Sequence, residues 1–321
     1  MIRKLMVPAM VWAALCGMAS AHAQTLRVAV GQKGNWDTSI MDYGIRQGFF
    51  KQQGIDIDEI YTPGGAPTLQ AVISGSVDIG IGTGLLGTVG AYVKGAPVRV
   101  IAAETTGAPD LFWYARPESG IHSLKEAGGK TIGFSEPGSS TNLVLLALLR
   151  HAGVSNAKPV PTGGIPATLT QVMSGQIDVG WSAAPANLQA VQQGKLVIVA
   201  HGNDAPEITG ETVRVNVANV NALKSKRQAM EKWASAYLKS LDWAYSDPKS
   251  IDYFAEGMHV PRALAQQARD RFYPKQALEP FKIGSEQLVL QQAYEFKFIP
   301  HPMTPTDVAG MYDILGNPTG N

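Results

Sequence analysis

Apolar and polar positions along this chain alternate in short blocks, first at the two-residue period of a strand and then at the 3.6-residue period of a helix. Thr25–Val30 (TLRVAV) reads as a strand that runs into Gly31-Gln32-Lys33-Gly34-Asn35-Trp36. Helical spacing follows through Ile40, Met41, Tyr43, Gly44 and Phe49, is stopped by Gly48 and Gly54, and gives way to a second strand starting at Ile55, Ile57 and Ile60. Further on, the pattern predicts a helix over Leu85–Val93 and a strand over Val98–Ala103. After the polar break Thr105–Asp110 come the apolar run Leu111–Ala115 and a strand Thr131–Phe134. Ser135–Thr141 opens a helix Asn142–Arg150, and strands follow near Lys158–Val160 and at Leu196–Ala200. His201–Gly210 is a loop, and Thr212–Val217 looks like a returning strand. The remainder is mainly helical; one stripe holds Met230, Trp233, Tyr237, Leu238, Leu241 and Tyr245 and stops at Asp247-Pro248. Alternation of this kind predicts an α/β protein with largely parallel sheets covered by helices on both faces.

One stretch occurs twice. Thr62–Gly84 (TPGGAPTLQAVISGSVDIGIGTG) matches Thr162–Ala184 (TGGIPATLTQVMSGQIDVGWSAA) without a gap, with identities at Thr62/Thr162, Gly64/Gly164, Thr68/Thr168, Val72/Val172, Asp78/Asp178 and Gly80/Gly180 among others. Each copy reads as a Gly-rich loop, an amphipathic helix (Thr68 to Ile73; Thr168 to Met173), a Ser-Gly stop suited to a left-handed C-cap, and a short apolar strand. Two such units predict two lobes; similarity between unrelated helix–turn–strand units is the plainer alternative. Asp78 and Asp178 read as turn or cap residues.

The first 23 residues have the form of a cleaved signal peptide. Arg3 and Lys4 precede the uncharged apolar run Leu5–Met18, and Ala21-His22-Ala23 fits an A-x-A cleavage site. Cys16, the only cysteine, would leave with it, which excludes disulfides, thiolate metal sites and cysteine nucleophiles from the mature chain. Removing Arg3 and Lys4 takes the Lys and Arg total from 27 to 25 against 26 Asp and Glu. A near-neutral chain with no basic run argues against nucleic acid as a partner. Six scattered histidines, one of them His22, have no metal-ligand spacing. No H-E-x-x-H, G-x-S-x-G or phosphate-loop motif is present, so the expectation is a protein without metal, cofactor or catalytic centre.

Gly44–Asp58 (GIRQGFFKQQGIDID), the Gly-Gly loop, SGSVDIGIG and Ser123–Ser140 (SLKEAGGKTIGFSEPGSS) occur in one order after the leader. Together they resemble the substrate-binding proteins of nitrate/sulfonate/taurine-type ABC importers over about Leu26–Val217. The resemblance implies a type II periplasmic-binding-protein fold whose two lobes close on a small solute. It also implies a periplasmic location, a membrane permease as partner, and a monomer. The chain would cross between lobes at Thr105–Leu111 and Pro206–Val213, putting residues 24–107 and 213–321 in one lobe and 108–212 in the other. The related thiamin-pyrimidine synthases share this fold, but they use a cysteine-rich segment that the mature chain cannot supply. A sensory role, with the ligand state passed to a receptor, is the other alternative.

Ligands of open α/β sheets sit beyond the carboxyl ends of the strands. Lys33, Gly34, Asn35 and Trp36 offer a cation, an amide and a flat ring there, while Gly65, Thr83 and Gly84 would let backbone amides approach closely. Ser139, Ser140 and Thr141 lie at a predicted helix N-terminus, which favours an anion, although Ser139 or Ser140 can equally serve as an N-cap. Trp181 is either cleft wall or lobe core, and Trp113 reads as core. Arg214 is the best-placed arginine for a bound anion, with a structural salt bridge as the competing role. The expected ligand is a sulfonate or carboxylate, with the loop tryptophans favouring an aromatic one.

Overall fold

The computed structural model describes residues 24–316, so the signal-peptide reading of residues 1–23, Cys16 included, lies outside the described residues. Among the described residues ten strands form two five-stranded sheets. The first has β1 (Gln24–Gly31), β2 (Ile55–Thr62), β3 (Ile79–Gly84), β4 (Val98–Thr106) and β10 (Thr212–Asn219), in the order β2-β1-β3-β10-β4. The second has β5 (Leu111–Ala115), β6 (Thr131–Phe134), β7 (Lys158–Pro161), β8 (Val179–Ala183) and β9 (Val197–His201), in the order β7-β6-β8-β5-β9. In each sheet four strands run one way and the fourth in spatial order runs against them: β10 pairs antiparallel with β3 and β4, and β5 with β8 and β9. Those two antiparallel strands are the first elements after the chain passes from one sheet to the other, so the architecture is two α/β lobes of like topology.

Local pattern explains most of the elements. Every residue of β3 and β8 is buried, as central strands covered on both faces require. The helices Gly65–Ile73 and Ile165–Met173 begin three residues earlier than their apolar stripes predict, because Gly64 and Gly164 take extended N-cap conformations. The helix Leu85–Val93 has its predicted bounds. The 20-residue helix Arg227–Ser246 buries Met230, Trp233, Tyr237 and Leu241 and packs on the helices Ile40–Arg46 and Phe49–Gln52, closing one face of the first sheet.

The lobes meet closely. Leu85, Leu86 and Val89 of one lobe share a buried apolar cluster with Leu143, Val144 and Leu148 of the other. Gly87 N–H donates to the Gly138 carbonyl at 3.0 Å, and Tyr273 Oη donates to the Ala184 carbonyl at 2.7 Å. Arg150 pairs across the same boundary with Glu295. None of the helices among the described residues is long and apolar enough to cross a membrane.

Candidate functional site

The carboxyl ends of β1, β3, β6 and β8 face one another where the lobes close. A cavity of about 30 Å³ lies there, lined by Gly31, Gln32, Asn35, Thr38, Gly64, Gly65 and Gly82 on one side and by Leu111, Ser135, Ser139, Ser140, Thr141 and Trp181 on the other, with Arg214 between them. That volume holds about two water molecules.

Two helix N-termini point into the cavity from opposite lobes. Ser139 caps the helix Ser140–Ala152, its Oγ accepting from Asn142 N–H at 3.2 Å. Thr141 Oγ1 accepts from Ser135 N–H at 2.8 Å, which folds the preceding loop back over the helix start. Among the described residues the amides of Ser140 and Thr141 have no protein acceptor, and the same holds for Gly65 at the start of the facing helix. Such first-turn amides and the helix dipole favour negative charge. The Trp181 indole N–H, also on the cavity wall, is buried without a partner among the described residues.

Arg214 is not a free cation. Its Nε lies 3.0 Å from Asp37 Oδ2 and its Nη2 2.8 Å from Asp110 Oδ1, all three side chains being buried. Thr105 Oγ1 donates to Asp37 at 3.1 Å and ties the cluster to β4. Burial disfavours the guanidinium charge, but Asp110, Asp37 and Glu104 outweigh it and hold Arg214 above its ordinary value. Burial raises the Asp110 carboxyl, with Arg214 pulling it down and Asp37 pushing it up. Glu104 is raised well above the usual carboxylate range by burial and by Asp37, and neither of its oxygens has a side-chain partner. Asp37 and Asp110 thus offset the one guanidinium, so the cavity gains no net positive charge from Arg214.

Of the residues singled out from sequence, Asn35, Gly65, Ser139, Ser140, Thr141, Trp181 and Arg214 line this cavity. Five do not. Trp36 is fully buried in an aromatic cluster, with Tyr43, Tyr245 and Phe254 rings edge-on at 5.4, 5.8 and 5.1 Å. Its flat face is packed against side chains over 200 positions away, so it offers the cavity nothing. Lys33 and Gly34 turn to the outer side of the loop, where Lys33 Nζ lies 5.1 Å above the Tyr61 ring. Thr83 is a buried strand residue whose hydroxyl donates to the Val215 carbonyl at 2.9 Å. Gly84 permits a close backbone approach, but of the other lobe: a Cβ there would lie 2.3 Å from the Gly138 carbonyl oxygen. Gly31, Gln32, Thr38, Gly82, Leu111 and Ser135 also line the cavity without having been singled out; all but Leu111 lie within four residues of one that was, and that nearness was the available signal. Trp113 is core, donating from Nε1 to Gly133 at 2.9 Å. Asp78 and Asp178 accept from the amides of Arg27 and Thr131, at the foot of each repeat.

Residues 37–251 match the model of the family described as NMT1/THI5 like. A provisionally named binding protein of Brucella abortus is 24% identical over 249 residues, which cover 76% of this chain and 75% of that protein. Among solved structures, the alkanesulfonate-binding protein of Xanthomonas axonopodis pv. citri, bound to MOPS, superposes with a TM-score of 0.75 at 18% identity, over 90% of this chain and 98% of the other. The periplasmic nitrate-binding protein of Synechocystis PCC 6803 gives 0.71 at 13% identity, over 90% and 86%. The fold is that of periplasmic binding proteins.

Proposed function

The chain belongs to the NMT1/THI5-like family, and on that premise we propose that it is the exported solute-capturing component of an ABC importer, taking a small acid by its sulfonate or carboxylate head. One observation carries this reading: two helix N-termini, one from each lobe, present unpaired amides to a shared cavity whose single guanidinium is already offset by Asp37 and Asp110. Amides and dipoles can hold one negative charge without a counter-ion, as helix N-termini do for phosphate and sulfate. Solved relatives that are named for binding an alkanesulfonate and nitrate lend the same direction. With opposite walls on opposite lobes, a ligand that contacts both favours closure, and the closed form is the one a permease would accept.

The reading is non-catalytic: among the described residues the cavity wall has no histidine, cysteine or lysine, and Asp37 and Asp110 behind it are held by Arg214. As closed here, the cavity has room for a head group but not for an aromatic ring, so a larger tail requires the lobes to part further. Titration calorimetry of the mature chain with alkanesulfonates, short carboxylates, nitrate and uncharged amides is the direct test. Saturable heat with oxyanions is the expected result. Binding of the amides alone, or of nothing in the panel, overturns it.

A further inference from the structure

A second pocket, of about 140 Å³, lies on the outer side of the loop that lines the cleft, between that loop, the helix Ile40–Arg46, β2 and the helix Lys249–Met258. We propose that it is a binding site for a small zwitterion of amino-acid size, with the carboxylate held at Lys33 and the ammonium at Glu59 and Asp42.

Three polar groups on its wall lack partners that would make it merely structural. Tyr43 is almost completely buried, yet among the described residues its hydroxyl makes no hydrogen bond. Glu59 Oε1 is likewise buried without a hydrogen bond among the described residues, although the Tyr61 hydroxyl lies beside the same carboxyl. Lys33 makes no salt bridge among the described residues; its ammonium rests over the Tyr61 ring. A buried polar atom left without a partner costs roughly 1–3 kcal/mol, so two on one pocket wall call for a ligand. Arg46 is not such a group, since Asp42 at 2.8 Å and Glu256 at 3.4 Å already pair it.

The chemistry required is mixed. A simple anion would satisfy Lys33 and the Tyr43 hydroxyl and leave Glu59 facing it. A simple cation would satisfy Glu59 and sit against Lys33. A molecule with a carboxylate at one end and an ammonium a few bonds away meets both, and the edges of Tyr61 and Tyr253 cover its aliphatic link. The wall shares its loop with the cleft, since Gln32 and Asn35 face inward while Lys33 and Gly34 face outward. Its geometry nevertheless stands independently of what the cleft binds.

The test is calorimetry at about pH 8, where the Glu59 carboxyl is ionised, with glycine and β-alanine as probes, and with acetate and methylammonium as their separate halves. The zwitterions are expected to bind saturably in the millimolar range, and neither half alone. Lys33→Met, at an exposed position where folding is not at issue, and Glu59→Gln should each weaken binding about tenfold or more, the scale of one lost hydrogen bond to a charged group. Ser140→Pro, which alters only the cleft, should leave it unchanged. Absence of saturable heat with both zwitterions overturns the proposal. So does binding that survives Lys33→Met and Glu59→Gln but is lost in Ser140→Pro, which would place the probe in the cleft.

Discussion

Gly80 and Gly180 occupy the same position in the two lobes and are hemmed in by the same atoms. A Cβ on Gly80 would lie 2.7 Å from Val72 Cγ2 and 2.9 Å from Thr68 Cγ2; on Gly180 it would lie 2.6 Å from Val172 Cγ2 and 2.9 Å from Thr168 Cγ2. The hydroxyl pairs repeat as well, Thr62 with Thr68 at 2.6 Å and Thr162 with Thr168 at 2.7 Å, while Thr68 and Thr168 donate to the carbonyls of Gly64 and Gly164. Thr62, Gly64, Thr68, Val72 and Gly80, with their counterparts in the second copy, therefore seat one helix on one strand, twice, which chance similarity would not reproduce contact for contact. Gly80→Ala and Gly180→Ala should each destabilise the protein by about 1–3 kcal/mol through overpacking, read as a fall in the urea midpoint. A variant of either kind with unchanged midpoint would contradict this packing.

Gly87 has a different reason to be glycine. It lies within the helix Leu85–Val93, where alanine is preferred by about 0.5–1 kcal/mol, but its Cβ would meet the Gly138 carbonyl oxygen of the other lobe at 2.8 Å. Gly87→Ala should therefore separate the two effects. The unliganded melting temperature should hold or rise, while ligand affinity falls about tenfold because closure is obstructed. Small-angle scattering should show a larger radius of gyration with ligand than the unaltered chain shows. Loss of thermal stability with affinity intact would mean that the contact is not a closure contact.

Much of this was legible in the order of residue types because its causes are local. Strand and helix periods identify β3, β4, β6 and the helix Leu85–Val93, and the repeat places Thr68 opposite Thr168 without any knowledge of space. The site was half legible for the same reason: Ser139, Ser140 and Thr141 are marked by a helix start, and Gly65 by a loop. Trp36 was misplaced because Tyr245 and Phe254, which bury it, belong to helices that no local pattern links to it. At Gly84 the sequence marks a close backbone approach but cannot say that the approaching backbone is Gly138 instead of a ligand.

Arg214 should be far harder to replace than a surface arginine. Arg214→Met leaves Asp37 and Asp110 buried without a cation, and breaking a buried pair from one side costs about 3–5 kcal/mol. The loss in urea midpoint should be partly restored in the double variant Arg214→Met, Asp110→Asn, which removes one of the stranded charges. If the single variant were as stable as the unaltered chain, Asp37 and Asp110 could not be the charges that Arg214 offsets.

The pH dependence of stability follows from Glu59 and Glu211. Burial lifts each to about 7; Tyr61 and Lys33 pull Glu59 back while Asp42 pushes it up, and Gln292 and Arg150 pull Glu211 back while Glu207 pushes it up. In the unfolded chain such carboxyls titrate near 4.3. Between those two values the folded protein holds protons that the unfolded chain has lost, so stability must fall as pH rises through about 7. Toward lower pH the trend ends where the unfolded carboxyls take up their protons, and stability is then lost as pH falls through the titration of Asp78, kept below its usual value by Arg27 and Lys226 in spite of burial. Melting temperature should be higher at about pH 5.5 than at about pH 8, and Glu211→Gln should remove on the order of 1 kcal/mol of that difference. A melting temperature that climbs over this interval would refute the assignment.

Ser140 allows a single donor to be taken from the cleft with little other change. It is the first residue of its helix, where proline is well tolerated because the amide has no helical acceptor. The preceding Ser139 is already extended, at φ −71° and ψ 164°, as a residue before proline prefers. Ser140→Pro thus deletes one cavity-facing N–H and one hydroxyl while the cap and the helix remain. If helix amides hold the ligand's charge, affinity for the best oxyanion should drop about 10–100-fold, the equivalent of one charge-assisted hydrogen bond of roughly 1.5–3 kcal/mol. The melting temperature without ligand should change little. Equal affinity in Ser140→Pro, measured by calorimetry on a folded protein, would remove the N-terminal amides of that helix from the recognition scheme and leave Gly65 and Trp181 to account for it.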